Sequence, residues 1–229
     1  MDTFDRNWRE LQLETMAHIT CAGASRGEIG AILQRLADGG IENVLALRGD
    51  PPQGETSFVR PEGGFEHAGE LVAFIRQQGF PFCIGAACYP EGHPECGDIE
   101  KDLDHLKLKV DAGVDFLITQ LFFDNHEYFP FVRRARAVGI DIPIIPGLMP
   151  VTNVAQIRRF TSVCGARIPQ ELFRRLRIVE RDPGAVVATG VYWTAHQAAD
   201  LLQKGAPGVH FYTLNKSSAT LAVHAALGL

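Results

Sequence analysis

The chain has no long apolar run. Nothing in its 229 residues approaches the roughly 20 apolar residues a helix needs to cross a bilayer. Basic residues are in deficit and nowhere run together. Twenty-two Lys and Arg against 27 Asp and Glu leave a net charge of −5, which disfavours non-specific binding to nucleic acid or an anionic membrane. Asp2 and Asp5 precede any apolar block, which argues against a secretory signal. Cysteine is sparse: Cys21, Cys83, Cys88, Cys96 and Cys164 lack paired spacing, pointing to reduced thiols in a cytoplasmic protein. Cys88, His93 and Cys96 are metal-ligating types, but no fourth ligand completes the pattern, so no metal is expected. There is no internal repeat, no Ser–His–Asp order, and no Gly-rich dinucleotide fingerprint after any strand.

What is present is an ordinary globular composition, 46% hydrophobic with 13 prolines, in a chain long enough for one sizeable core. Residues 1–229 are therefore read as one domain, with 1–16 irregular or short-helical around Trp8, Leu11 and Leu13. Apolar runs predict strands at 17–21, 44–47, 82–88, 116–122, 142–145 and 209–212. Between them, amphipathic patterns predict helices. Ser25 with Glu28 is a capping box opening a helix with Ile29, Ile32, Leu33 and Leu36 on one face, stopped by Gly39-Gly40. Further helices are predicted at 65–78, 99–112, 127–138, 154–161, 171–179, 185–202 and 219–227. Such alternation means parallel strands joined by right-handed crossovers. A doubly wound sheet could hold six units, but without a dinucleotide fingerprint the better solution is α/β of the TIM (β/α)8-barrel type, lacking its first two strands. Open strand edges would follow, so this chain alone is expected to be poorly soluble unless a partner or upstream residues complete it.

Barrel enzymes carry their chemistry at strand C-termini. Here those ends supply Thr20-Cys21, Arg48-Gly49-Asp50, Tyr89, Thr119-Gln120, Pro146-Gly147 and Tyr212-Thr213-Leu214-Asn215. Gly49 permits a steep turn between a cation and a carboxylate, and Pro51-Pro52 stops the strand. The bland alternative for Arg48 and Asp50 is a surface salt bridge. Asp102 and His105, with Lys107 and Lys109 on the same helix, read either as a solvated face or as a cradle for pyrophosphate and ribose. The loop from Tyr89 to Glu95 reads either as a rigid connector or as rings packed on a large flat ligand.

These residues resemble the 5,10-methylenetetrahydrofolate reductase family. The likeness runs in order through His18-Ile19-Thr20-Cys21, Leu45-Ala46-Leu47-Arg48-Gly49-Asp50-Pro51-Pro52 and Tyr89-Pro90-Glu91-Gly92-His93-Pro94-Glu95. It continues through Lys109-Val110-Asp111-Ala112-Gly113, Ile118 to Asp124, Ile144 to Gly147 and His210 to Asn215. The resemblance implies FAD as cofactor, NADH or NADPH as co-substrate, and 5,10-methylenetetrahydrofolate reduced to 5-methyltetrahydrofolate by ping-pong hydride transfer, in one-carbon and methionine metabolism. It implies FAD binding by His18, Arg48, Gly49, Asp50, His67, Ala68, Tyr89, His93, Asp102, His105 and Lys109. Asp50 is similar to the family aspartate beside the isoalloxazine; its charge would disfavour anionic reduced flavin. Gln120 is similar to the glutamine that meets both pterin and nicotinamide, so Asp50 and Gln120 are the implied catalytic pair. Substrate binding is implied for both and for Gln156, Phe160 and Lys216.

Two departures accompany the likeness. The family's first-strand glutamate, its general acid, and its second-strand Thr-Tyr-Gly turn have no counterpart upstream of His18. Lys216 stands where the family usually has arginine, keeping charge but losing bidentate pairing. The alternatives are a flavin- or folate-binding remnant or subunit without that acid, and an unrelated phosphate-binding barrel lyase, whose Gly-rich phosphate loop is not apparent. Expected partners are small molecules, with a homo-oligomer left open.

Overall fold

The computed structural model describes residues 13–49 and 58–228. Strands and helices alternate as β1 (Met16–Thr20), α1 (Arg26–Asp38), β2 (Asn43–Leu47), α2 (Ala68–Gln77), β3 (Cys83–Cys88), α3 (Ile99–Asp111), β4 (Phe116–Thr119), α4 (Asn125–Ala137), β5 (Ile144–Ile145), β6 (Gly147–Leu148), α5 (Val154–Cys164), α6 (Gln170–Val179), α7 (Pro183–Gln203), β7 (His210–Phe211) and α8 (Ser218–Ala226). The chain is α/β, with parallel strands joined through helices, the build of a β/α-barrel chain. Of the segment 1–16, residues 13–15 are irregular and Met16 opens β1, while Trp8 and Leu11 lie outside the described residues. The chain divides into two compact units, residues 1–87 with 105–117, and residues 88–104 with 118–229.

In the first unit β1, β2 and β3 lie side by side, all parallel, with Ile19 opposite Ala46 and Val44 opposite Ile84. Val44, Leu45 and Ala46 are buried in succession, as an apolar run covered on both faces requires. The capping box forms in full: Ser25 accepts from the Glu28 amide, and the Glu28 carboxylate takes the Ser25 amide at 2.8 Å. The expected four-residue apolar face of α1 is narrower in the structure. Ile29 and Leu33 are buried, but Ile32 is exposed and Leu36 only half-buried. The next helix begins at Ala68, not Phe65, because Phe65 is a buried anchor ahead of it, 5.2 Å from Phe74 and beneath the Arg26 guanidinium.

Arg76 on α2 ties this unit together. Its guanidinium donates to the Gly113 carbonyl at 2.7 and 2.9 Å, to the Phe82 carbonyl at 2.8 Å and to Asp115 at 2.5 Å. Asp115 in turn accepts the Ile84 amide at 2.7 Å. One side chain thus closes the loop ends that lead into β3 and β4. Arg76→Ala is expected to cost about 2–4 kcal/mol, since charged hydrogen bonds are lost and partly buried carbonyls are left open. Urea unfolding checks this; a loss within about 0.5 kcal/mol, the range of an ordinary surface change, would refute it.

The second unit has its core in Leu121, Phe123, Met149, Val151, Val154, Ile157, Leu172, Leu176 and Val186. Asp124, Asn153 and Asp182 each accept backbone N–H groups as N-caps, and Pro183 takes the first position of α7. The strand expected over 116–122 ends at Thr119. Leu121, Phe122 and Phe123 are buried without continuing it; Gln197 donates to the Phe122 carbonyl at 3.0 Å and Trp193 to the Phe123 carbonyl at 3.1 Å. β6, not expected from the sequence, pairs parallel with β7, Gly147 opposite His210 and Leu148 opposite Phe211. No described helix is long and apolar enough to cross a membrane.

Candidate active site

In the first unit the ends of β1 and β2 are locked together. The Cys21 amide is shared between the carbonyls of Leu47 and Arg48, both at 3.1 Å. Immediately after Arg48 the chain turns with Gly49 at φ +86°, and a Cβ there would sit 3.0 Å from those of Thr20 and Ala22. Only glycine fits that turn. The Arg48 guanidinium lies 5.4 Å from the Phe58 ring centre, a cation–π contact. Cys21 is fully buried, and burial pushes its thiol up to about 12, Glu70 adding to the rise and Arg48 opposing it. It is a packed, neutral thiol and no nucleophile. Asp50 lies outside the described residues.

The same unit carries His18, His67, Ala68, His105 and Lys109. His18 is exposed on β1, yet enough protein surrounds its ring for lost solvation to lower its pKa. His67 is the N-cap residue of α2 without a side-chain cap bond, and Ala68 is the first helical residue, so the positive end of the helix dipole is at this point. A Cβ on Gly69 would meet Lys109 at 3.7 Å, and the Lys109 ammonium donates to the Ala87 carbonyl at 2.5 Å. Lys107 by contrast pairs with Asp111 one turn on, the solvated face that its spacing allowed. His105 is exposed.

In the second unit the Tyr89 and His93 rings meet edge to face, centres 4.5 Å apart. The His93 amide donates to Asp102 at 3.1 Å, and its Nδ1 accepts the Glu95 amide at 3.1 Å. The neutral imidazole therefore carries its proton on Nε2. Gln120 directly follows β4. Its amide donates to the Cys88 carbonyl at 2.7 Å, and its Oε1 accepts the Leu121 amide at 2.9 Å. The carboxamide is thereby oriented, with its NH2 group left as the donor.

Gln156, Phe160 and Lys216 line one cavity of about 560 Å³. Tyr212, which also lines it, is held from behind: its hydroxyl donates to the Thr119 carbonyl at 2.8 Å, and the Thr119 hydroxyl accepts the Gly147 amide at 2.8 Å. Burial keeps the Tyr212 phenol far above its ordinary pKa, so it remains a donor. A Cβ on Gly147 would lie 2.7 Å from the Tyr212 ring. Leu214, which lines the cavity, and Asn215 next to it both have positive φ, 51° and 59°, a strained pair. Sequence reading missed Asn153, which lines the cavity and caps α5 by accepting the Gln156 amide at 2.8 Å. Its signal was available: an asparagine just before an amphipathic run.

Each unit taken by itself carries groups of the kind a flavin dinucleotide needs: in the first an arginine, a lysine and a helix N-terminus, which suit phosphate, and in the second an aromatic pair and an oriented carboxamide, which suit a flat ring. Among the described residues, no group of three His, Cys, Asp or Glu side chains could hold a metal, Cys88, His93 and Cys96 included.

Comparison with known proteins follows the same lines. The family model described as methylenetetrahydrofolate reductase matches residues 5–228. Methylenetetrahydrofolate reductase (NADH) 1 of Arabidopsis thaliana is 39% identical over 227 residues, covering 95% of this chain and 38% of that protein. The 5,10-methylenetetrahydrofolate reductase of Pectobacterium carotovorum subsp. carotovorum is 36% identical over 219 residues, covering 95% of this chain and 70% of that one. The chain thus spans well under half the length of the Arabidopsis relative. An uncharacterized Clostridium thermocellum protein, solved with two copies of 5-methyl-5,6,7,8-tetrahydrofolic acid, aligns over 99% of this chain and 98% of its own, with TM-score 0.52 and 15% identity. That likeness is one of fold.

Proposed function

Because the chain belongs to the methylenetetrahydrofolate reductase family, we propose that it reduces 5,10-methylenetetrahydrofolate to 5-methyltetrahydrofolate at the expense of NADH or NADPH, as a cytoplasmic FAD enzyme of one-carbon and methionine metabolism. The observation that carries this reading is the cavity in the second unit. It joins Gln156 and Phe160 of α5 with Lys216 beyond β7, residues far apart in sequence that the family likeness independently marks for substrate. When bound, FAD supplies the relay that takes a hydride from one substrate and gives it to the other in separate half-reactions.

The roles of the chain's own residues follow from their chemistry. The family likeness assigns the cofactor to His18, Arg48, Gly49, Asp50, His67, Ala68, Tyr89, His93, Asp102, His105 and Lys109. The arginine and lysine charges with the α2 N-terminus suit its phosphates. Asp50 acts on the isoalloxazine by its negative charge and on the folate by accepting hydrogen bonds. Gln120 donates to whichever substrate ring is present. Phe160 offers a flat apolar face, and Lys216 a cation for an anionic substrate group.

The test is spectroscopic. The purified chain is expected to be yellow, or to become so on adding FAD, to bleach anaerobically with NADH or NADPH, and to regain colour with 5,10-methylenetetrahydrofolate or menadione. A colourless protein that takes up no FAD would overturn the proposal. Bleaching followed by recovery with menadione alone would move the reading to a flavin-binding subunit without folate turnover.

A further inference from the structure

We infer that Arg167 is a positioning residue: it fastens the Tyr89–Glu95 loop to the α5–α6 turn and so sets where the Tyr89 and His93 rings stand. The inference rests on the proposed use of those rings for FAD. Glu91, in the middle of the loop, is nearly buried, its side chain only 9% exposed. A carboxylate so placed needs charged partners. Arg167 supplies them. Its Nε donates to Glu91 Oε1 at 2.8 Å and its backbone N–H reaches the same carboxylate at 3.2 Å. The other arm of the guanidinium donates to Glu127, in the first turn of α4, at 2.6 Å. These contacts hold the Arg167 pKa above its ordinary value, the Glu91 hydrogen bond contributing most.

A second contact fixes the same loop from the same turn. Gly165 ends α5 at φ +76°, and a Cβ there would lie 3.0 Å from Pro94 Cγ. The glycine both turns the chain in the left-handed region and lets Pro94 close in. Only Gly165 and Ala166 separate the end of α5 from Arg167, and α5 is the helix that brings Gln156 and Phe160 to the cavity. Within the loop, Gly92 closes a turn on the Tyr89 carbonyl at 3.1 Å and His93 is tied to Asp102. Between the two rings, over residues 90–92, the charged residue is Glu91. The bland alternative is a solvent-exposed ion pair, since the Arg167 side chain is 69% exposed, and such pairs contribute little. What separates the two is the burial of Glu91 and the three-way reach of one arginine.

The experiment uses the whole chain with Arg167→Met, which keeps an apolar stem, and Arg167→Lys, which keeps charge without the fork. Two readouts are taken: FAD titration followed by flavin fluorescence, and amide hydrogen exchange of the 89–96 peptide in the absence of FAD. Arg167→Met is expected to raise the FAD Kd about tenfold or more, as displacement of positioned groups does, and to speed exchange at Gly92 and Cys96 while α7 stays protected. Arg167→Lys falls between, and Glu91→Gln combined with Arg167→Met adds nothing beyond the larger single effect. Unchanged exchange in the 89–96 peptide overturns the inference, and so does faster exchange with an unchanged FAD Kd. If Arg167→Met does not fold, Arg167→Lys decides by the same two readouts. If the wild-type chain itself binds no FAD, the proposed function fails, and exchange alone decides whether Arg167 holds the loop.

Discussion

Gly190→Ala is expected to be severely destabilising. Gly190 sits inside α7, where glycine costs about 1 kcal/mol relative to alanine, so its presence needs a reason. The reason is the backbone of Val151: a Cβ at 190 would lie 2.0 Å from its carbonyl oxygen and 2.8 Å from its nitrogen. Backbone cannot rotate aside as a side-chain tip can. α7 would have to move off the 149–153 segment, which is buried at Met149, Pro150 and Val151 and lines the cavity. The expected loss is about 3 kcal/mol or more, the upper end of overpacking, or failure to accumulate folded protein. Alanine at Gly205, where nothing lies within 4 Å, is the control for added bulk, though its φ of +92° brings a strain of about 1 kcal/mol. Thermal and urea unfolding of both variants decide. A Gly190→Ala protein as stable as the Gly205→Ala one would refute the packing argument.

Gly190 also shows where sequence reading stops. The helix over 185–202 was legible from its composition, and the structure extends it only to Pro183–Gln203. That one glycine of the helix is a contact point was not legible, because close approach is a relation between segments distant in the chain. The same limit explains the overrun at β4. Leu121-Phe122-Phe123 continues the apolar run of the strand, and periodicity has no means of knowing that Gln197 and Trp193 satisfy those carbonyls instead of a neighbouring strand. β6 was missed for the opposite reason: its two residues are too few to make a pattern. Local chemistry fared better. The Ser25 capping box and the strands ending before Arg48 and Tyr89 depend on adjacent residues, and all stand as expected. Gln156, Phe160 and Lys216 were marked by family likeness alone; it took the fold to bring them to one cavity.

Gln120→Leu is expected to lower kcat/KM for methylenetetrahydrofolate reduction by about 100-fold, close to 3 kcal/mol of lost transition-state stabilisation. Leucine keeps most of the side chain's volume and removes its hydrogen bonding, so packing beside Leu121 should hold. The carboxamide is prepared for work before any ligand arrives. Its stem follows β4 directly, its own amide is bound to Cys88, and its Oε1 is held by the Leu121 amide at 2.9 Å. An NH2 donor so fixed loses little freedom on meeting a substrate ring. Because one residue is proposed to serve both substrates in turn, the variant should slow both half-reactions. Stopped-flow absorbance separates them: bleaching by NADH or NADPH on one side, recovery of colour with the folate on the other. FAD content should stay at the wild-type level, since Gln120 is not among the residues proposed to hold the cofactor. Slowing of the nicotinamide half-reaction alone would restrict Gln120 to that substrate, and rates within about twofold of wild type in both, under 0.5 kcal/mol, would remove it from the chemistry.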